Sequence, residues 1–179
     1  KLNKSNVEFI ELGFLKDGDH DNHKTLFNFV NQAERFIVKN TAQKYTMMIR
    51  PDWYNINQLQ RGNGLIDTVR FAFHLKDLKL TLKQADYARA LGYNIFLNPV
   101  VITSYKKNEL DKLLSELNSF EPLGVCIVDT FGSLLPSDLK HVYESFSSIL
   151  KNEITIGLHL HENLSISLAL TDLFLEMVG

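Results

Sequence analysis

Cysteine is almost missing from this chain. Cys126 stands alone among 179 residues, so no intrachain disulfide can form. A fold that does without such bonds fits a reducing compartment. Long apolar runs are missing too: none approaches the roughly 20 residues needed to span a bilayer. The opening stretch "KLNKSNVEFI" lacks the apolar core of a secretory signal. Both absences point to the cytoplasm and away from a membrane. That stretch also lacks an initiating Met, which suggests a trimmed or fragmentary chain. Positive charge is not in excess, because 19 Lys and Arg meet 21 Asp and Glu for a net charge of -2. Such a balance supplies no field for holding nucleic acid, and no block of like charge forms a tail. Phe is abundant but scattered at core-like positions, not interleaved with Arg and Lys as a stacking platform.

What remains is an apolar fraction of 45%, enough for a sizeable core. Runs rich in β-branched and aromatic residues read as strands near Phe9–Gly13, Tyr45–Arg50, Thr68–His74, Asn94–Asn98, Gly124–Asp129 and Thr155–His161. Most are apolar on both faces, as strands of a helix-covered parallel sheet are. Between them lie helical patterns. "KTLFNFVNQAERFIVKN" puts Leu26, Val30, Ala33 and Ile37 on one face, and "TLKQADYARALG" stops at Gly92. "NELDKLLSELN" carries a stripe of leucines, "PSDLKHVYESFSSILKN" opens on a cap at Pro136–Ser137, and "LSISLALTDLFLEMVG" closes the chain. No linker or repeat interrupts the alternation, so residues 1–179 read as one domain of βα units. Six units at about 30 residues each fit either an open doubly wound sheet or a barrel short of two units. Counting does not choose between them.

The chemistry gathers at strand ends. "IGLHLHENLS" holds His159 and His161, which project to one side while Leu158 and Leu160 face the other. In parallel α/β folds the reacting groups sit at the carboxyl ends of strands. Two neutral imidazoles there can share a divalent cation with ligands from neighbouring strands. The plain alternative is two unrelated histidines, one satisfied by backbone and one solvated. Other strand ends are polar as well: Asp129 and Thr130 before Gly132, His74 on the face of Arg70 and Ala72, Asn98 before Pro99, and Glu11 before Gly13. Each alone has an ordinary structural explanation. Together they are harder to dismiss, since an unpaired buried polar group costs about 1–3 kcal/mol. The loop "LKDGDHDNHKT", with Asp17, Asp19, His20, Asp21 and His23, matches no calcium-loop spacing and reads as solvated. Trp53 and Tyr105 are pocket-lining candidates, and Cys126 reads as a small buried apolar residue.

On these residues the sequence resembles the metal-dependent aldolase and acyl-lyase barrel family, which includes 4-hydroxy-2-oxovalerate aldolase and hydroxymethylglutaryl-CoA lyase. "GLHLHENLSISLAL" looks like the family's His-x-His strand with its following helix, and "CIVDTFGSLLPSDL" like its Asp-Thr/Ser-x-Gly strand. "IELGF", "VRFAFH" and "GYNIFLNPVVITSY" fall in the expected order. The resemblance implies an α/β fold, a (β/α)8 TIM barrel present in part, from about the second strand to the seventh. It implies His159 and His161 as metal ligands, with Mn²⁺ or Mg²⁺ as cofactor and Zn²⁺ as a further choice. Asp129 and Thr130 become substrate-facing or supporting groups, and His74, Asn98 and Glu11 pocket walls. An Asp ligand, an Arg and the catalytic base are expected ahead of Lys1, so no catalytic residue is assigned on this chain.

The implied reaction is retro-aldol cleavage of a 4-hydroxy-2-oxo acid to pyruvate and an aldehyde. Competing readings are a Claisen-type acyl-CoA enzyme on the same metal and a degenerate, non-catalytic barrel. The implied partners are a small oxo-acid substrate and either a further copy of the chain or a dehydrogenase. Residues 1–179 alone are expected to bind metal weakly and turn over little.

Overall fold

The structure is a computed structural model that describes residues 7–18, 21, 23–38 and 42–179. Along the chain run β1 (Phe9–Leu15), β2 (Leu26–Phe27), β3 (Lys44–Ile49), β4 (Thr68–Phe73), α1 (Leu78–Ala90) and β5 (Asn94–Pro99). Then come α2 (Lys107–Phe120), β6 (Gly124–Val128), α3 (Pro136–Ile149), β7 (Thr155–His159) and α4 (Ser167–Val178). The chain divides into two compact units. One comprises the residues up to Phe73 with Lys79–Phe96; the other comprises His74–Leu78 with Leu97–Gly179.

In the first unit β1 pairs in parallel with β2 and β3, and β3 with β4. Tyr45–Ile49 are all buried, which is why β3 reads as an unbroken apolar run rather than an alternating one. Helix α1 buries Thr81, Gln84, Ala85 and Ala88, a narrow stripe of mostly small side chains. The chain leaves it at Gly92, whose φ of +96° suits a residue without Cβ.

The helix expected over residues 24–40 is not formed in its described part, residues 24–38. Leu26–Phe27 instead add an edge strand, and Val30–Phe36 wind into a 3-10 helix. The backbone N–H groups of Phe14 and Lys16 donate to the carbonyls of Thr25 and Phe27 at 2.9 and 2.8 Å, holding this segment extended. The Asn28 carboxamide donates to the carbonyl of Lys16 at 3.0 Å, and Gln32 Oε1 accepts from the amides of Asn28 and Phe29. Side chains of this kind offer the backbone an alternative to helix bonds. Tertiary pairing overrode the periodicity, although Val30 and Ala33 are buried as the stripe requires.

Gly13 makes that edge strand reachable. The β1–β3 register shifts between Glu11 and Phe14, and Gly13 takes φ +146° at the irregularity. A Cβ there would run into the carbonyl of Thr25.

In the second unit β6 and β7 pair in parallel from Gly124↔Thr155 to Val128↔His159. Helix α2 buries Leu110, Leu113, Leu114 and Leu117, and α3 buries Leu139, Val142 and Phe146. Pro136 opens α3 as expected, but Ser137 is not its cap. The carboxylate of Asp138 reaches back to accept from the amide of Leu135 at 3.2 Å. Helix α4 begins at Ser167, later than the apolar pattern suggests, and Tyr143 donates to the carbonyl of Met177 at 3.1 Å. Among the described residues no helix is long and apolar enough to cross a membrane.

Gly13→Ala is expected to lower stability by about 1–3 kcal/mol, the range for a strained backbone position. Chemical denaturation measures it, and an unchanged midpoint would contradict this account of the edge strand.

Candidate metal centre

Because β6 and β7 are parallel and in register, their carboxyl ends emerge at the same edge of the second unit. His159 is the last residue of β7, and His161 lies two residues further on. Their ring centroids are 5.0 Å apart with planes at 63°, so the imidazoles converge instead of splaying to opposite sides.

His161 is exposed and beyond the strand, yet one bond orients it: its Nδ1 lies 2.7 Å from the backbone carbonyl of Asp129. A carbonyl oxygen can only accept, so Nδ1 carries the proton and donates. In the neutral ring Nε2 then keeps its lone pair, which is the state a metal ligand needs. The Asp129 amide in turn donates to the carbonyl of His159 at 2.9 Å. One peptide segment of the β6 end thus grips both histidine positions.

The Asp129 side chain is 1% exposed and turned elsewhere. Its Oδ1 accepts from the amides of Ser133 at 3.0 Å and Leu134 at 3.3 Å, shaping the turn into α3. The carboxylate is thus engaged within its own turn. Thr130 is half-buried, and its Oγ1 accepts from the amide of Val101 at 2.7 Å, tying down the loop after β5. Gly132 has φ +60°, and a Cβ on it would sit 2.7 Å from the carbonyl oxygen of His161 and 2.8 Å from the amide of Asn163. Asn163 donates back to the carbonyl of Phe131 at 2.6 Å. The "DTFG" turn and the "HLHEN" loop are therefore interlocked, with no room for a side chain at the glycine.

Asn98, at the end of β5, is 2% exposed, and its Oδ1 has no partner among the described residues. His74 is half-buried and opens a 3-10 turn by accepting from the amide of Asp77 at 2.8 Å. Tyr105 braces loops: its hydroxyl donates to the carbonyl of Val100 at 2.7 Å and accepts from the amide of Leu75 at 3.2 Å. Cys126 is half-buried rather than buried, and a Cβ on Gly157 would sit 2.7 Å from its sulfur.

Glu11 lies in the first unit, in an ion pair that sequence reading missed. Arg70 Nη2 lies 2.8 Å from Oε1 and 2.7 Å from Oε2 of Glu11, with side chains 18% and 29% exposed respectively. Burial pushes the Glu11 carboxyl above its usual range, and the Arg70 guanidinium offsets this only in part. The available signal was the shared face: Glu11 pairs in register with Thr46, and Met48 with Arg70, two strands away.

The remaining sequence candidates are ordinary. Asp19 and His20 lie outside the described residues. Asp17 accepts from the amide of Asn55 at 3.0 Å, and Asp21 from that of His23 at 2.9 Å. Trp53 lies beneath Arg50, whose guanidinium is 4.2 Å from the ring centroid.

Among the described residues no group of three or more His, Cys, Asp or Glu side chains is arranged to hold a metal ion. The two imidazoles fit the nitrogen part of a divalent-cation site and supply no oxygen ligand.

No family model matches the chain. It is 24% identical over 149 residues to 4-hydroxy-2-oxovalerate aldolase of Bacillus cereus, covering 83% of this chain and 43% of that protein. It is 28% identical over 139 residues to the Shewanella pealeana protein of the same name, covering 74% and 39%. The chain thus spans about two fifths of the length of these relatives. Among solved structures, it superposes with TM-score 0.80 on the N-terminal domain of a Bacteroides vulgatus protein provisionally classed as an aldolase, at 17% identity over 98% of this chain and 60% of that one.

The chain is similar to the aldolase and acyl-lyase barrels. The fold is accordingly a partial (β/α)8 barrel, as the motif order implied, and not an open doubly wound sheet. The solved structures, at 17% identity, speak to the fold alone.

Two measurements follow. Calorimetric titration of residues 1–179 with Mn²⁺ is expected to show binding weaker than micromolar, because two imidazoles are an incomplete ligand set; tighter binding would contradict this. A carboxyl raised in the folded state binds more protons there than when unfolded, so its contribution makes stability fall as pH rises above 4.5. Glu11→Gln is expected to flatten that decline in urea unfolding between pH 4.5 and 7, and an unaltered slope would refute the assignment.

Proposed function

We propose that the protein is a divalent-metal-dependent carbon–carbon lyase that cleaves a 4-hydroxy-2-oxo acid to pyruvate and an aldehyde. The observation that carries this reading is the converging imidazole pair, with the proton of His161 fixed on Nδ1 by the Asp129 carbonyl. Similarity to proteins named 4-hydroxy-2-oxovalerate aldolase supports the substrate class.

His159 and His161 would hold Mn²⁺ or Mg²⁺, with Zn²⁺ also compatible with imidazole. When bound, such an ion would supply Lewis acidity toward the α-oxo acid. This chain's own residues do the positioning. The Asp129 carbonyl accepts the Nδ1–H bond of His161 and so selects the neutral tautomer whose lone pair is on Nε2, and the Asp129 carboxylate fixes the turn from which that carbonyl projects. Thr130 holds the β5 loop, and Gly132 lets the two strand-end loops close on one another. Asn98, His74 and Glu11 are the proposed pocket walls. The proton acceptor for the substrate hydroxyl is not assigned on this chain. The same reading places the protein in the cytoplasm, acting on a small oxo acid, either as a homo-oligomer or with a dehydrogenase.

In the whole protein, His159→Ala and His161→Ala are each expected to reduce pyruvate release by more than the ~10–100-fold that loss of a supporting contact costs. Circular dichroism should be unchanged. Release that persists in both variants, or consumption of acetyl-CoA in place of pyruvate formation, would overturn the lyase reading.

A further inference from the structure

Asn98 poses a problem that the lyase reading does not solve. It is 2% exposed, its Oδ1 is sealed from solvent without a partner, and no hydrogen bond reaches its carboxamide from the described residues. Buried amides are normally satisfied, and one that is not calls for an unseen partner. An apolar side chain in the same place would leave no such group unpaired. The sequence retains a costly polar group instead.

The loop that follows is also built against local preference. Val101 adopts φ 62° and ψ 32°, left-handed backbone that a β-branched residue rarely enters. Such strain persists only where the surroundings impose it, and it clusters at ligand sites. Two bonds impose it here. Thr130 Oγ1 accepts from the Val101 amide at 2.7 Å, and the Tyr105 hydroxyl donates to the Val100 carbonyl at 2.7 Å. Thr130 adjoins Asp129, whose carbonyl orients His161 at 2.7 Å. Asn98 is thus anchored, through Val101 and Thr130, to the framework that fixes the histidines.

We infer that the Asn98 carboxamide is a specificity-determining group, reserved for a hydroxyl on the oxo-acid substrate. This rests on the lyase reading and deepens it. A carboxamide offers both an acceptor and a donor, and a half-turn of its terminal torsion exchanges them. No bond to a described residue fixes the orientation of the carboxamide. Either end can meet a hydroxyl, which both donates and accepts. A site built to bond a hydroxyl discriminates strongly against the analogue without one, because the protein group is then left unpaired.

The test is Asn98→Leu in the whole protein, with three readings. Without ligand, removing an orphaned polar group should raise the melting temperature by ~2–4 °C. The KM for 4-hydroxy-2-oxovalerate should rise about tenfold, with kcat changed less. The inhibition constant of 2-oxovalerate, which lacks the hydroxyl, should stay the same. A lower melting temperature would mean the amide is structural and would overturn the inference. So would equal weakening of both compounds, or of neither, while the His159→Ala and His161→Ala variants remain inactive. That pattern leaves the lyase reading standing. If Asn98→Leu fails to fold, Asn98→Ala carries the same comparison of the two compounds. If the parent protein shows no cleavage, calorimetric binding of the two compounds replaces KM under the same criterion. Failure of the parent to bind either one would overturn the lyase reading and this inference together.

Discussion

One hydrogen bond, from Nδ1 of His161 to the carbonyl of Asp129, decides what the carboxyl end of the second unit can do. Without it, His161 would be an exposed side chain beyond the end of its strand, free in rotamer and tautomer. With it, the ring is held 5.0 Å from that of His159, and its outer nitrogen keeps a lone pair. The acceptor is backbone and cannot titrate. The orientation of the ring therefore does not depend on the ionisation of a neighbouring acid.

The rest of the strand-end region serves that carbonyl. The Asp129 carboxylate accepts from two amides of the following turn, and its amide extends the β6–β7 ladder to His159. Gly132 lets the turn close on the loop beyond His161, where any Cβ would collide with backbone. Thr130 extends the same framework to a strained Val101 and so to Asn98. Well-satisfied groups are thus linked along the chain to an unsatisfied one. Real proteins break local rules of this kind mainly where function asks for it.

Much of this was legible in the sequence, for reasons that differ between residues. His159 and His161 announced a shared face because strand alternation is rigid, and register with β6 kept that face intact past the end of β7. Asp129, Thr130 and Asn98 stood out as polar groups closing apolar strands. Their division of labour did not show: whether Asp129 aims at substrate or at turn amides depends on one side-chain torsion. The Glu11–Arg70 pair joins residues 59 positions apart, and only the register of three strands brings them together. The segment 24–40 misled because its apolar spacing suits a helix, while Gly13 and Asn28 recruit its backbone to the edge of β1.

The tautomer of His161 tests this account most directly. A long-range proton–nitrogen correlation spectrum of the protein, assigned by comparison with His161→Ala, reports which ring nitrogen carries the proton. A proton on Nδ1 in the neutral ring, with Nε2 bare, is the predicted result. A proton on Nε2 with Nδ1 bare would contradict it, since the bond to the Asp129 carbonyl could not then exist.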